Sequence, residues 1–199
     1  MRFFSLVVFF SSILSYSHAD QSVSCTDSLN KIIQQALSQI EVTRYYDPSY
    51  LKIKYPGGDV SVERGVCTDV IVRAFRSVGI DLQVLIHEDM KAHFEKYPKK
   101  WGLKNPDSNI DHRRVPNIVT WLKRNGKWIA DSGNSTDFRP GDIVTWDLGN
   151  HIDHIGIVSN KRVENSDRYA IIHNIGNGAV LEDMLFNFKI TGHFRYFCL

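Results

Sequence analysis

The sequence predicts a single domain of the α+β class, with helices in its first part and an antiparallel sheet in its last part. Hydrophobic residues recur at helical spacing along the first part, and one of these helices begins at a cysteine. The last part consists of short β-rich runs that contain histidines and are bounded by Gly or Asn. Such separation of helices from strands is typical of α+β proteins. A chain of 199 residues with 43% hydrophobic content suffices for one well-buried core.

The N-terminus has the pattern of a secretory signal peptide. Arg2 supplies a positive start, residues 3–14 are mostly apolar, and Ala19 is a small residue at the expected cleavage position. Residues 1–19 are therefore predicted to be removed, which leaves residues 20–199 as one domain in the periplasm or outside the cell. No later stretch is long and apolar enough to predict a membrane segment. A formal net charge of +2 predicts no nucleic-acid partner.

Other helices and one strand are predicted around the cysteine helix. Residues 26–46 carry an apolar stripe at helical spacing before an Asp-Pro break. Residues 50–58 alternate in polarity before a Gly-Gly turn, which predicts a short strand. A short helix is predicted to open at His87. Another is predicted over residues 115–124, with Pro116 in its first turn.

The helix that begins at Cys67 is the most informative stretch. Its apolar stripe ends before Gly79, a residue typical of helix C-termini, and consists of Val70, Ile71, Ala74, Phe75 and Val78. A thiol at a helix N-terminus lies beside unpaired N–H groups and the positive end of the helix dipole, and both favour a nucleophilic thiolate. The same position also suits a buried cysteine that serves only for packing.

Three cysteines, Cys25, Cys67 and Cys198, occur in the chain. Disulfides persist in exported proteins, and an odd number leaves at least one thiol unpaired within the chain. Cys25 and Cys198 lie near opposite ends of the mature chain, and chain termini often meet at the surface. We therefore hypothesise a disulfide between them, which leaves Cys67 free.

Two histidines in the predicted sheet can serve a cysteine nucleophile. His154 precedes the strand-like run Ile-Gly-Ile-Val, and His173 lies on the next predicted strand. Neighbouring strands can bring two such side chains together. A cysteine nucleophile needs a base for its proton, and the base needs an orienting partner. The order Cys67, His154, His173 fits a Cys–His hydrolase.

A zinc site is the rival interpretation. His151, Asp153 and His154 form a compact set of ligands that His173 or Asp142 could complete. Histidines three apart on a strand do not share a face, however, and no HExxH helix is present. Motifs for serine hydrolases, phosphate-binding loops and dinucleotide-binding folds are also missing, and Gly-Asn-Gly at 176–178 reads as a hairpin turn. We therefore predict neither a metal nor a cofactor.

Several motifs together resemble known families, and these are YPGGDV, GVCTDVIVRAFRSVGIDLQ, HEDM, YPKKWGL, PDSNIDHRRVPN, RPGDIVTW, HIGIVS, IIHNIGNG and GHFRY. The cysteine helix followed by PGDIV, HIGIV and IIH resembles the NlpC-type papain-like cysteine peptidases, which cut peptide or amide bonds in bacterial peptidoglycan. The whole set resembles an exported bacterial family, the domain of unknown function DUF1287. The resemblance implies a papain-like fold, with the Cys67 helix packed on the C-terminal sheet. It implies Cys67 as nucleophile, His154 as base and His173 as orienting residue, with Asn174 as the alternative third residue.

The substrate contacts are predicted from the departures from that pattern. The helix starts Cys-Thr-Asp where NlpC-type enzymes usually have Cys-Ser-Gly, so Asp69 enters the site in place of a glycine. The insertion around Asn109 to Arg114 has no counterpart there. It lies in the irregular stretch 87–117, and long structured loops are often functional, although a solvated surface loop is the alternative. Arg113 and Arg114 in this stretch could clamp a substrate carboxylate. Asp69 and Asn174 complete the predicted substrate-binding set.

These observations together predict an exported cysteine hydrolase that cleaves peptide or amide bonds, with peptidoglycan stem peptides or other peptides as substrate. A cell-wall-binding module without catalytic activity is the alternative. A metal-dependent hydrolase is the third interpretation. The bond that is cleaved and the oligomeric state stay open at this point.

Overall fold

The computed structural model describes residues 18–130 and 133–198. Its helices are α1 (His18–Leu37), α2 (Cys67–Arg76), α3 (Leu82–Ala92) and α4 (Val115–Arg124). Its strands are β1 (Tyr45–Tyr46), β2 (Arg64–Gly65), β3 (Trp128–Ile129), β4 (Ile143–Asp147), β5 (Asp153–Arg162), β6 (Tyr169–Asn174), β7 (Ala179–Glu182) and β8 (Lys189–Phe194). Short 3-10 helices occur at Phe94–Lys96, Asp111–Arg113 and Ser135–Asp137. The predicted signal peptide lies outside the described residues except for its last two, which begin α1.

Six strands form one antiparallel sheet, which confirms the α+β class. Their order is β3-β8-β4-β5-β6-β7, while β1 and β2 form a separate parallel pair. The hairpin turn predicted at 176–178 connects β6 to the edge strand β7. The two-residue strand β3 was not predicted, because so short an element has no hydrophobic period. In the described part of the chain, no helix has both the length and the apolarity needed to cross a membrane.

The two faces of the sheet bury separate groups of side chains. Helices α1, α2 and α4 pack on one face, where the cluster includes Ile32, Ile71, Phe75, Ile118, Ile155, Ile157 and Phe194. Because side chains alternate along a strand, the intervening residues point to the opposite face. That face carries Phe138, Val144, Trp146, Val158, Ile171 and Leu185. The N-terminus of α2 thereby reaches the first residues of β5.

Helix predictions were right in position and differ in length. Helix α4 has the predicted bounds, and α2 begins at Cys67 as predicted. Helix α1 ends at Leu37 rather than at residue 46, since turns follow and Glu41 has a φ of 69°. Helix α3 begins before His87, because the Asp81 side chain accepts a hydrogen bond from the Gln83 N–H and caps the helix there.

The predicted strand at residues 50–58 was wrong. Its backbone hydrogen bonds go to side chains instead of to another strand. The N–H of Ile53 donates to Asn109 Oδ1, and the carbonyl of Lys54 accepts from Gln83 Nε2. The N–H of Gly58 donates to Gln83 Oε1. Alternating polarity therefore reflects a chain segment bound along the surface of α3 and the 87–117 stretch.

Cys25 and Cys198 form a disulfide, which confirms the hypothesised pairing and leaves Cys67 as a free, buried cysteine. The bond connects α1 to the segment after β8 across a sequence separation of 173 residues. A loop of that length gives a stabilisation of up to roughly 5 kcal/mol in the chain-entropy model.

Candidate active site

Cys67 lies at the boundary between the core and an open pocket of about 510 Å³. It is the first residue of α2 and is only 4% exposed. Asp69 organises this end of the helix, because its Oδ2 accepts a hydrogen bond of 2.7 Å from the Val66 N–H. Gly65 is required just before it, since a Cβ there would lie 3.0 Å from Asp69 Oδ2.

Burial raises the pKa of the Cys67 thiol to about 12. Backbone N–H groups of Ile155, Thr68 and Cys67 itself lower this pKa, while the Asp69 carboxylate raises it further. Desolvation of the charged form outweighs the helix N-terminus. The effect expected from the helix N-terminus is therefore not sufficient to ionise Cys67, which rests as a thiol.

His154 and His173 form a buried hydrogen-bonded pair, as predicted from their order. His154 Nε2 lies 3.0 Å from His173 Nδ1, and the two rings meet edge to face. Ile157 is paired with Ile172 in the β5–β6 ladder, so His154 and His173 lie on one face in diagonal positions. Gly156 makes this arrangement possible: a Cβ there would lie 3.2 Å from His173 Cβ and 2.6 Å from Ile171 Cγ2.

Both histidines rest in the neutral form. Burial, followed by the influence of His173, lowers the pKa of His154 to about 3. Burial also lowers the pKa of His173, although the nearby Glu182 carboxylate opposes that shift. The resting site therefore contains a thiol and two neutral imidazoles.

The thiol reaches β5 beside His154 but on the other face of the sheet. His154 is paired with Trp146 and faces the second cluster, whereas Ile155 and Cys67 belong to the first. The Ile155 N–H is close enough to the Cys67 sulfur to lower the thiol pKa, and the two residues belong to one buried cluster, so the thiol lies near the residue that follows His154. Among the described residues, no hydrogen bond links Cys67 to His154. His154 Nδ1 makes none either, so this ring nitrogen is the atom left to accept a proton.

His173, rather than Asn174, contacts the His154 ring. Asn174 is fully buried, and its Nδ2 donates a 3.1 Å hydrogen bond to the Gly65 carbonyl. It therefore connects β6 to the loop that leads into α2. The structure thus places Asn174 in support of Cys67 rather than on the pocket surface, where a substrate-binding role was predicted.

Asp69 and Arg113 are paired with each other in the protein interior. Arg113 Nε lies 3.0 Å from Asp69 Oδ1, and Nη2 lies 3.0 Å from Oδ2. Arg113 also donates to the carbonyls of Ser49 and Asp47, and the two side chains are only 3% and 4% exposed. The bidentate edge of Arg113 is thus occupied by Asp69, although Arg113 also borders the pocket, and the predicted substrate-binding role of both residues stays a prediction.

Arg114 faces the pocket and has hydrogen-bonding capacity to spare. Its guanidinium lies 4.2 Å from the centroid of the Trp101 ring. Its Nη1 is buried and has no hydrogen-bond partner in the described structure. Burial lowers the Arg114 pKa, while Asp111 and Asp107 raise it. Lys100, another cation at the pocket, is already paired with Asp153 at 2.6 Å.

Sequence analysis missed the pocket residues Tyr46 and Trp101, and it missed Glu182. Burial raises the pKa of the Tyr46 hydroxyl to about 12, and the negative charge of Asp69 adds to this effect. Tyr46 therefore stays protonated beside Cys67. Glu182 Oε1 lies 2.9 Å from His173 Nε2. Single residues in short or irregular segments have no pattern that could reveal them.

The residues of the zinc interpretation are not brought together. Asp142 is buried and paired with His193 and Arg195. The His151 side chain is 92% exposed and lies 3.9 Å from Asp147. No group of three or more metal-ligating side chains occurs in the ranges 18–130 and 133–198.

Comparison with known proteins identifies relatives over most of the chain. The profile of the family described as "Domain of unknown function (DUF1287)" matches residues 33–196. The protein named "Uncharacterized protein YijF" from Escherichia coli (strain K12) is 54% identical over 166 residues, which cover 83% of this chain and 80% of that protein. The matched region contains α2, the sheet and all the residues of the candidate site.

Proposed function

The chain belongs to the DUF1287 family, and we propose that it is an exported cysteine hydrolase of papain-like fold that cleaves peptide or amide bonds in peptidoglycan stem peptides. The observation that carries the proposal is the position of the free Cys67 thiol, which lines the pocket and lies near Ile155, the residue that follows His154 of the His154–His173 pair. Export is supported by the predicted signal peptide and by the disulfide.

The proposed reaction begins from the neutral site. The Cys67 sulfur attacks the carbonyl carbon while His154 Nδ1 accepts the thiol proton, so that the thiolate never accumulates. The Cys67 N–H donates to the oxyanion. His154 then protonates the leaving amine, and an acyl-thioester forms on Cys67. Water, deprotonated by His154, attacks the thioester and releases the carboxylic acid and the thiol.

His154 must approach Cys67 for the first step, because no hydrogen bond connects them at rest. Catalytic hydrogen bonds are often long without substrate and tighten when it binds. His173 supports the step, since its Nδ1 holds the Nε2 side of the His154 ring. His154 Nδ1, the other nitrogen of that ring, is then directed away from His173.

Arg114 supports a substrate with a free carboxylate close to the cleaved bond. Its buried Nη1 lacks a partner, and stacking on Trp101 fixes the guanidinium plane. We expect Arg114→Ala to raise KM for an acidic stem peptide about tenfold and to change KM for its amidated form by less than twofold. Equal effects on both peptides would contradict this subsite. Lys127→Ala is a control for loss of a cation stacked on another aromatic ring, that of Tyr196.

The test of the function is digestion of purified sacculi followed by mass spectrometry of the muropeptides. The mature wild-type chain should produce new peptides, and Cys67→Ala and His154→Ala should produce none. Cys67→Ala with undiminished activity would overturn the proposal. The activity of Cys67→Ser should be lower than that of the wild type by orders of magnitude, because an alcohol is a much weaker acid than a thiol.

A cell-wall-binding module is a second candidate, and one observation favours it. The raised Cys67 pKa and the missing hydrogen bond to His154 are also the properties of an inert thiol. This candidate predicts that the wild type and Cys67→Ala bind sacculi equally and leave muropeptides unchanged.

A further inference from the structure

We propose that Glu182 is a positioning residue of the candidate site, which acts through His173 to set the proton positions on both histidines. The inference rests on the proposed function, and it adds Glu182 to the buried pair His154–His173. Glu182 lies on the edge strand β7, and neither the motifs nor the spacing of the sequence pointed to it.

The register of the sheet explains how Glu182 reaches His173. His173 is paired with Val180 and Ile171 with Glu182, so His173 and Glu182 occupy diagonal positions on one face. A long side chain spans such a diagonal, and Glu182 Oε1 lies 2.9 Å from His173 Nε2. His173 is fully buried, whereas the Glu182 side chain is 52% exposed. The carboxylate thus covers the outer end of the buried pair.

The carboxylate has one ion-pair partner in the described structure. Its neighbour Asp183 is paired with Arg168 at the surface, but Glu182 pairs only with His173. An exposed glutamate is usually solvated. Here the carboxylate oxygen instead lies 2.9 Å from an imidazole nitrogen that has no well-aligned hydrogen bond in the described structure.

The consequence is a fixed arrangement of protons. An ionised carboxylate only accepts hydrogen bonds, so it favours a hydrogen on His173 Nε2. His173 Nδ1 is then an acceptor, and His154 must place its hydrogen on Nε2 to donate to it. His154 Nδ1 is left without a hydrogen and can accept the thiol proton. In the opposite tautomer, His173 Nδ1 would donate to His154 Nε2. The hydrogen of His154 would then lie on its own Nδ1, and this nitrogen could not accept the thiol proton.

The charge of Glu182 also supports the protonated state that forms during the reaction. When His154 takes the thiol proton, the positive charge lies in a buried site and is costly. The titratable groups that face His173 are His154 from β5 and Glu182 from β7. The Glu182 carboxylate offsets part of that cost, although its partial exposure to water screens the interaction.

The experiment combines kinetics with NMR on the mature chain. The variants are Glu182→Gln, whose amide both donates and accepts, and Glu182→Asp, which keeps the charge. Glu164→Gln in the β5–β6 turn is the control, because it removes an exposed carboxylate outside the contact chain. Two-bond ¹H–¹⁵N spectra of the histidine rings report the tautomers directly, whether or not the chain turns over substrate.

We expect the wild type to show His173 protonated at Nε2, and Glu182→Gln to show a mixture of tautomers. We expect kcat to fall about tenfold in Glu182→Gln with KM within twofold, and to recover partly in Glu182→Asp. The acid limb of the pH–rate profile should move to lower pH, because removal of the carboxylate lowers the pKa of the histidine pair. The control should match the wild type.

An unchanged His173 tautomer in Glu182→Gln would overturn the assignment, as would an unchanged kcat in an active enzyme. Failure of the proposed function looks different. In that case Cys67→Ala and the wild type leave the same muropeptides, while the tautomer spectra still decide whether Glu182 sets the histidine protons.

Discussion

Substitution of Arg113 distinguishes a buried structural ion pair from a substrate clamp. Arg113→Ala leaves the Asp69 carboxylate buried, with its two contacts of 3.0 Å removed. It also leaves the carbonyls of Ser49 and Asp47 without their donor. Because both charged side chains are almost fully shielded from water, screening does not reduce the effect. Removal of one partner of a buried pair costs about 3–5 kcal/mol.

The assay is urea unfolding followed by tryptophan fluorescence. With an m-value of about 2 kcal/mol per molar urea, a loss of about 4 kcal/mol lowers the midpoint by about 2 M. Arg114→Ala is the matched control and should cost no more than about 1 kcal/mol, since it removes only the stacking on Trp101. The double variant Asp69→Ala with Arg113→Ala should be less destabilised than the sum of the single variants. An Arg113→Ala chain with a wild-type midpoint and reduced kcat/KM would refute the structural role.

Three further predictions concern the sheet, the disulfide and pH. Gly156→Ala should cost about 1–3 kcal/mol in urea unfolding and disturb the His154–His173 contact in NMR, because the added Cβ meets Ile171 and His173; wild-type ring signals would contradict this. Cys25→Ser should lower the free energy of unfolding by up to roughly 5 kcal/mol. Equal urea midpoints of the wild type with and without reductant would contradict this prediction. Stability should decrease as the pH falls from about 6.5 to about 4. Buried His112 and His154 have pKa values of about 4 and about 3 in the folded chain, so the unfolded chain binds protons at a higher pH than the folded chain does. Each contributes a slope of about 1.4 kcal/mol per pH unit, and equal urea midpoints at pH 7 and pH 5 would contradict the assignment.

The neutral resting state has a consequence for how such a site would work. A buried thiol with a pKa of about 12 is protected from oxidation and from unselective alkylation. Reaction then depends on a substrate that fills the pocket and draws His154 towards Cys67. In the proposed reaction, substrate binding and proton transfer would therefore be coupled.

Local patterns sufficed for the elements that bring the site together. The apolar stripe after Cys67 depends only on helical periodicity, and α4 follows from Pro116 and its periodicity, so both were correct. The strands that carry His154 and His173 were found because β-rich runs between turn residues have a clear local signal. Residues 50–58 failed because their partners are side chains distant in the sequence, which an alternating pattern cannot reveal.

The sequence by itself determined the helix that starts at Cys67, the pairing of Cys25 with Cys198 that leaves this thiol free, and the histidines on adjacent strands. Each follows from periodicity, from counting or from chain order. Only the tertiary structure decided the charge of Cys67, the pairing of Asp69 with Arg113, and the contact of Glu182 with His173. These depend on which distant segments exclude water from a group and which atoms they place within about 3 Å, because desolvation and short-range electrostatics are set by three-dimensional surroundings.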